Sequence, residues 1–385
     1  MSHRPPPSVV GDPAELGLDP ERVARLVAKA EQAVLSGRLP SAQIALARAG
    51  RLALDHTVGA PADSRYSVFS VTKALTSSAV WLLLGDGCLT PETRVAELIE
   101  EFSSGGRQNV TVEHLLTHTA GFPRAPMRPE EGGDPVARRA RFATWRLESP
   151  PGSRTGYSPE AVHWVLADLL ERATGRTYRD VIRARVLEPL GLRRLRLGVA
   201  ADDAADVRTF VTVAAADGAH EAPAGATIDA EHLLSANSPA VRAVGVPGSG
   251  AVSTAADVAL FYQALLHDPA GVWDPAVLAD ATGHVRNRLV DPFTRVPANR
   301  TLGLTVAGDD GNAVLREFGR ESGPRAFGAA GIGGQVAWAD PDTGLSFCAL
   351  TDGLDADLVA AFLRASALST AACRCVAGPV AAALP

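Results

Sequence analysis

Apolar positions change period twice within the first ninety residues. In "DPERVARLVAKAEQAVLSG" they recur at helical spacing behind an acidic start and ahead of a glycine, which predicts an amphipathic helix over residues 19–37. Between 41 and 59, in "SAQIALARAG" and "RLALDHTVG", they alternate or run on either side of Gly50, the pattern of two antiparallel strands. From 70 to 85, "SVTKALTSSAVWLLLG" is apolar nearly all round, so the helix it predicts is a buried one.

Helix signals dominate the middle of the chain. Thr111 stands ahead of an acidic residue in "TVEHLLTHTAGF", and "STAADVALFYQALLHD" repeats that grammar near 253. In "SPEAVHWVLADLLERATG" the expectation is Ser158 as N-cap, Pro159 at the first helical position and Gly175 as the stop. Short apolar strands bounded by Gly, Asp or Pro return in "LGLTVAG", "QVAWADP" and "LSFCALTDG", and "DADLVAAFLRASALSTAA" predicts a last helix.

This order predicts an α+β fold of the α/β-sandwich type: an antiparallel sheet with strands from both chain ends, flanked by N- and C-terminal helices, with a large helical domain inserted. The expected division assigns residues 1–75 and 295–385 to the sheet domain and 76–294 to the helical one, with the active site at their interface. The Pro-, Gly- and Arg-rich stretches at 123–156 and 199–250 are the expected lids and substrate walls. The arginines around 138–154 are expected on a solvated lid face.

Composition removes several function classes. The chain has 385 residues, is 46% hydrophobic and carries a formal charge of −6 with its basic residues scattered, so it shows no footprint for a nucleic-acid backbone. No apolar run approaches the roughly 20 residues that span a bilayer, and the first residues hold no apolar signal core; a cytoplasmic protein without membrane contact is expected. The four cysteines are expected to be reduced and structural, Cys373 and Cys375 being too close in sequence for an ordinary disulfide.

Charge composition also points to the chemistry. Two lysines stand against 35 arginines, and one of them, Lys73, lies in the apolar helix three residues after Ser70. Positions i and i+3 share a helix face, so the two side chains meet. A serine hydroxyl needs a neighbouring base to become a nucleophile, and lysine can lose its proton where arginine in effect cannot. Tyr157, one of four tyrosines, sits just before a predicted helix, where a phenol can relay a proton. Glycines 331, 333 and 334 at the start of a strand permit the close backbone approach that an oxyanion hole requires. The pair His114 and His118 in "HLLTH" has zinc-helix spacing, but Leu115 occupies the place of the catalytic glutamate, so no metal is expected. No G-x-S-x-G is present, which disfavours a nucleophile elbow.

In order and neighbourhood these stations resemble the serine hydrolases typified by class C β-lactamases, penicillin-binding DD-peptidases and family VIII carboxylesterases, over roughly residues 15–370. The segments carrying the resemblance are "YSVFSVTKALTSSAVWLLLGDGCLTPETRVAELI", "TVEHLLTHTAGF", "PGSRTGYSPEAVHWVLADLLERATGRTYRDVIRARVLEPLGL" and "PGSGAVSTAADVALFYQALL". The resemblance implies Ser70 as acylated nucleophile, Lys73 as general base, Tyr157 as proton relay, and the backbone N–H groups of Ser70 and Ile332 as oxyanion hole. Gly331, Ala329 and Trp338 are the expected substrate-binding residues, with Trp145 and Trp164 as further candidate walls, and no cofactor is implied. Two departures bear on the substrate. The family's Y-x-N becomes Tyr157-Ser158-Pro159, and Ala329 falls where a lysine or histidine is usual, with no histidine after His284. Loss of that amide and that cation argues against lactams and peptidoglycan stems and favours a small-molecule ester, as in the family VIII esterases. An acyltransferase using the same acyl-enzyme, a weakly active or non-catalytic binding protein, and residual β-lactamase activity are the competing expectations.

Overall fold

The computed structural model describes residues 10–213 and 230–378, so part of the expected lid at 199–250 lies outside the described residues. Six antiparallel strands form the main sheet. From one edge to the other they are Arg51–Val58, Ala42–Arg48, Leu345–Thr351, Gln335–Asp340, Phe327–Gly331 and Thr305–Val306. The first and last parts of the chain thus share one sheet, with Ile44 opposite Ala349 and Leu46 opposite Phe347.

Period-two alternation sorts the strand residues onto two faces. Ile44, Leu46, Val336, Trp338, Leu345 and Phe347 pack against Val23, Leu26 and Ala30 of the helix Pro20–Leu35 and against Ala365, Leu368 and Ala372 of Leu358–Cys373. Ala45, Ala47, Ala337, Ala339 and Cys348 face the other way, into the larger core shared with the helices Thr72–Gly85 and Ala255–His267. Covering both faces explains why Ala42–Arg48 is buried along its whole length and reads as nearly continuous apolar sequence. The helix Ala255–His267 lies within the stretch expected to be the helical domain, yet it packs directly on the sheet. Gln263 shows why: its amide donates to the Ala47 and Gly344 carbonyls of that sheet.

The remaining helices build a second layer around Ala161–Thr174, which is buried over its first ten residues. Arg138 corrects one expectation. It is fully buried rather than on a solvated lid face, because its guanidinium donates to Asp168 at 2.8 Å and to Glu171, tying Pro135–Thr144 to the central helix. All four cysteines are free, with Cys88 exposed in the turn after Thr72–Gly85.

Candidate active site

Ser70 lies in a single 3-10 turn, Phe69–Val71, that runs into the buried helix Thr72–Gly85. The preceding Phe69 has φ of +44°, a conformation that costs a non-glycine residue about 1–3 kcal/mol and persists only where the surroundings impose it. Its ring packs on Phe210, 4.6 Å away between ring centroids, in a small apolar cluster with Leu354, Leu233, Leu234 and Ile332.

The Lys73 ammonium group donates to Ser70 Oγ at 3.0 Å, to the Pro159 carbonyl at 2.7 Å and to the Gly248 carbonyl at 2.8 Å. A carbonyl can only accept. In the neutral amine the two remaining N–H bonds therefore stay on Pro159 and Gly248, and the lone pair is left facing Ser70 Oγ. Tyr157 donates its phenol to the same oxygen at 2.6 Å. Ser70 Oγ is thus held between an amine and a phenol, the arrangement that can take its proton and return it elsewhere.

Backbone arranged far away in sequence makes this geometry. The helix starts at Ala161 rather than at the expected Pro159, and Glu160 replaces Ser158 as the N-cap residue. This correction has a chemical consequence: outside the helix, the Pro159 carbonyl is free to point at Lys73. The proline that stands where Y-x-N has its amide thus contributes a main-chain carbonyl that anchors Lys73. Gly248 must be glycine for a matching reason, since a Cβ there would lie 2.8 Å from the Pro159 oxygen. Thr72 and Thr76, one turn apart on the helix Thr72–Gly85, hold the Gly248 segment through Ala251 N–H and the Pro247 carbonyl.

His118 positions the tyrosine. Its carbonyl accepts from Gly156 N–H and its Nδ1 from Ser158 N–H at 3.1 Å, so it grips both sides of Tyr157, and its ring lies 5.0 Å from the phenol ring. Burial, aided by the charges of Arg300 and Lys73, holds both His118 and the adjacent His163 well below the usual imidazole range, so both are neutral near pH 7. His114 is engaged in a helix cap, its Nδ1 accepting from Thr111 N–H.

On the opposite wall, Gly331 ends its strand directly on the turn that carries Ser70. A Cβ there would lie 2.9 Å from the Val68 carbonyl and 3.1 Å from Ser70 N, so only glycine lets Ile332 and Ser70 approach. Ala329, two residues back on the same face, pairs with Ala337 and brings no charge. Trp338 does not line the site: it is buried on the far face of the sheet, where its indole N–H donates to Ser369 Oγ at 3.1 Å. Period-two alternation from Gln335 puts it there. Trp164 and Trp145 are likewise core residues.

Arg300 was not among the expected site residues. It lies on a segment bridged to Asn287 and Thr305 at the sheet edge, and its guanidinium carbon stands 5.4 Å from the centre of the Tyr157 ring. Lys73 Nζ is 5.1 Å from the same centre. Among 35 arginines nothing in the sequence distinguishes this one; the backbone role of Pro159 was equally silent.

Sheet, helical layer and a serine set between lysine and tyrosine define a serine hydrolase. The chain belongs to the beta-lactamase family, whose model matches residues 23–371. Among curated proteins it is 28% identical over 324 residues to the esterase/beta-lactamase LipL of Mycobacterium tuberculosis, covering 77% of this chain and 71% of that protein. It is 31% identical over 214 residues to the esterase EstB of Burkholderia gladioli, covering 47% and 53%. Among solved structures, a penicillin-binding protein homologue from Caulobacter crescentus superposes with a TM-score of 0.75 at 26% identity, covering 92% of this chain and 98% of that one. A family VIII carboxylesterase superposes with a TM-score of 0.76 at 23% identity, covering 92% and 97%, and this shows the shared fold. Among the described residues no helix is long and apolar enough to cross a membrane.

Proposed function

We propose that the protein is a carboxylesterase that hydrolyses small-molecule esters through an acyl-Ser70 intermediate. The observation that carries this reading is the placement of Ser70 Oγ between Lys73 Nζ at 3.0 Å and Tyr157 Oη at 2.6 Å, with the other two Lys73 donors engaged on carbonyls. Lys73, as the neutral amine, accepts the Ser70 proton while Oγ bonds to the ester carbonyl carbon. The carbonyl oxygen becomes an oxyanion in reach of the Ser70 and Ile332 N–H groups, an assignment supported by Gly331 lying against Ser70 N. The proton passes through Tyr157 to the alkoxide as the C–O bond breaks, and the alcohol leaves. Water then attacks the acyl-enzyme, giving its proton back along the same pair, and the free acid departs. The apolar cluster of Phe69, Phe210, Leu233, Leu234 and Ile332 beside Ser70 suits an alkyl acyl group. The word esterase in the names of LipL and EstB supports an ester over other acyl compounds.

The test combines p-nitrophenyl esters of increasing chain length with intact-mass spectrometry. Turnover that disappears in Ser70→Ala, and an adduct from an alkyl phosphonate that maps to Ser70, are the expected results. Turnover that survives Ser70→Ala with no adduct on Ser70 would overturn the reading. Free acid as the only product in the presence of added alcohols and amines counts for hydrolysis; ester or amide formed in preference to acid would reassign the same acyl-enzyme to acyl transfer.

A further inference from the structure

Ala329 leaves the third motif without its cation, and on sequence alone this removes the anchor for an acidic substrate. The structure restores a positive charge from a different part of the chain. Arg300 is partly buried, lies against the Tyr157 ring at 5.4 Å, and comes from the segment beyond the edge strand Thr305–Val306, which pairs with Gly328 beside Ala329.

What sets this arginine apart is its lack of a partner. Buried Arg138 and Arg316 donate to carboxylates, as does half-buried Arg286. Among the described residues the Arg300 guanidinium makes no hydrogen bond and no ion pair, and its Nε is buried with nothing to accept from it. Asp291 and Glu317 are the carboxylates whose charges reach it, and neither lies within hydrogen-bonding distance. Burial raises Glu317 to about 7, so that group supplies only part of a countercharge near neutrality. Lys73, His118 and His163, the other titratable groups packed around Tyr157, are cationic or neutral and carry no negative charge to pair with Arg300. A planar guanidinium with Nε shut away from water and its terminal N–H donors unpartnered beside Tyr157 is matched by a carboxylate, which takes two of those bonds at once.

Its place also sets which half of the substrate it meets. Tyr157 hands the proton to the departing oxygen, so a group bound against Tyr157 belongs to the leaving alcohol. We infer that Arg300 is the specificity-determining residue of this site and that it binds a carboxylate carried by the alcohol half of the ester. The inference rests on the acyl-Ser70 reading above and places at Arg300 the carboxylate anchor that is missing at Ala329.

A matched pair of esters tests it: 3-acetoxybenzoate and the isosteric, neutral 3-acetoxybenzamide, with kcat and KM measured for wild type, Arg300→Lys and Arg300→Met. Wild type is expected to prefer the benzoate, chiefly through KM, and Arg300→Met to lower the benzoate-to-benzamide ratio of kcat/KM by roughly 10- to 100-fold, as for loss of a close charge pair. Arg300→Lys is expected to retain part of the preference. Stronger inhibition of wild type by 3-hydroxybenzoate than by 3-hydroxybenzamide is the companion result, and it needs no variant to fold. Equal wild-type handling of the two esters, or an Arg300→Met loss that falls equally on both, overturns the inference and leaves Arg300 as a brace for the Tyr157 ring. In either case a phosphonate adduct on Ser70 shows that the hydrolase reading stands; absence of that adduct overturns both.

Discussion

At the scale of single residues, the site depends on which groups can give up a proton and which backbone positions tolerate no side chain. Lys73 contacts two carbonyls and one hydroxyl, and a guanidinium in its place would satisfy the carbonyls without ever accepting the Ser70 proton. Lys73→Arg should therefore lower kcat for a p-nitrophenyl ester by roughly 10²- to 10⁴-fold, the usual worth of a positioned base, while circular dichroism stays native. Gly331→Ala introduces a methyl 2.9 Å from one backbone oxygen and 3.1 Å from Ser70 N, neither of which is the end of a flexible side chain. If the Ser70 and Ile332 N–H groups are the oxyanion donors proposed above, displacing them should reduce kcat by about 10²- to 10³-fold with little change in KM. Ser70, Lys73 and Tyr157 were legible in the sequence because spacing and rarity mark them, whereas the carbonyls of Pro159 and Gly248 carry no such mark.

At the scale of elements, the helix Ala161–Thr174 joins stability to the site. Its Asp168 is buried and paired with Arg138 from Pro135–Thr144 and with Arg172 one turn on. Arg138→Met would leave that carboxylate with one partly exposed partner, and the expected loss is about 3–5 kcal/mol, read as a shift of the urea midpoint. The same helix carries His163, which with His118 is held neutral by burial. Both folded pKa values lie below the unfolded value of 6.5, so below that pH the unfolded chain takes up protons that the native state refuses. Stability then falls toward acid by about 1.4 kcal/mol per pH unit for each histidine. Glu317, raised to about 7, works in the opposite direction between 4.5 and 7, because the native state holds that proton and loses the benefit as pH rises. His114, lowered by burial, adds a third histidine, while Asp55 and Asp257, raised by burial from the ordinary aspartate range, join Glu317 only toward the acid end, so the urea midpoint should drop between pH 6.5 and 5. His163→Phe should flatten that drop by about one histidine's worth; an unchanged slope would refute the assignment.

At the scale of the whole molecule, the site exists only where distant segments converge. Ser70 comes from the turn after the first strands, Tyr157 and Pro159 from the loop before the central helix, Gly248 from the approach to Ala255–His267, and Gly331 from a late strand. Esterase activity in rising urea should disappear together with near-ultraviolet circular dichroism, at or before the loss of the far-ultraviolet signal. Activity outlasting the near-ultraviolet signal would mean that a smaller part of the chain suffices.

Local pattern alone determined the helices at both ends, the antiparallel strands, the class of fold and the meeting of Ser70 with Lys73, because these follow from the periodicity and spacing of residues along the chain. It misplaced Trp338, whose face depends on where a strand begins, and Arg138, whose burial depends on Asp168 and Glu171 some thirty residues away. Only the tertiary structure decided how Lys73 is anchored and where a positive charge stands once Ala329 occupies the third motif. Both answers come from groups brought close by packing, a proline carbonyl and one arginine among many. No spacing rule links residues 73 and 159, or 157 and 300, until the sheet and the helical layer have closed around them.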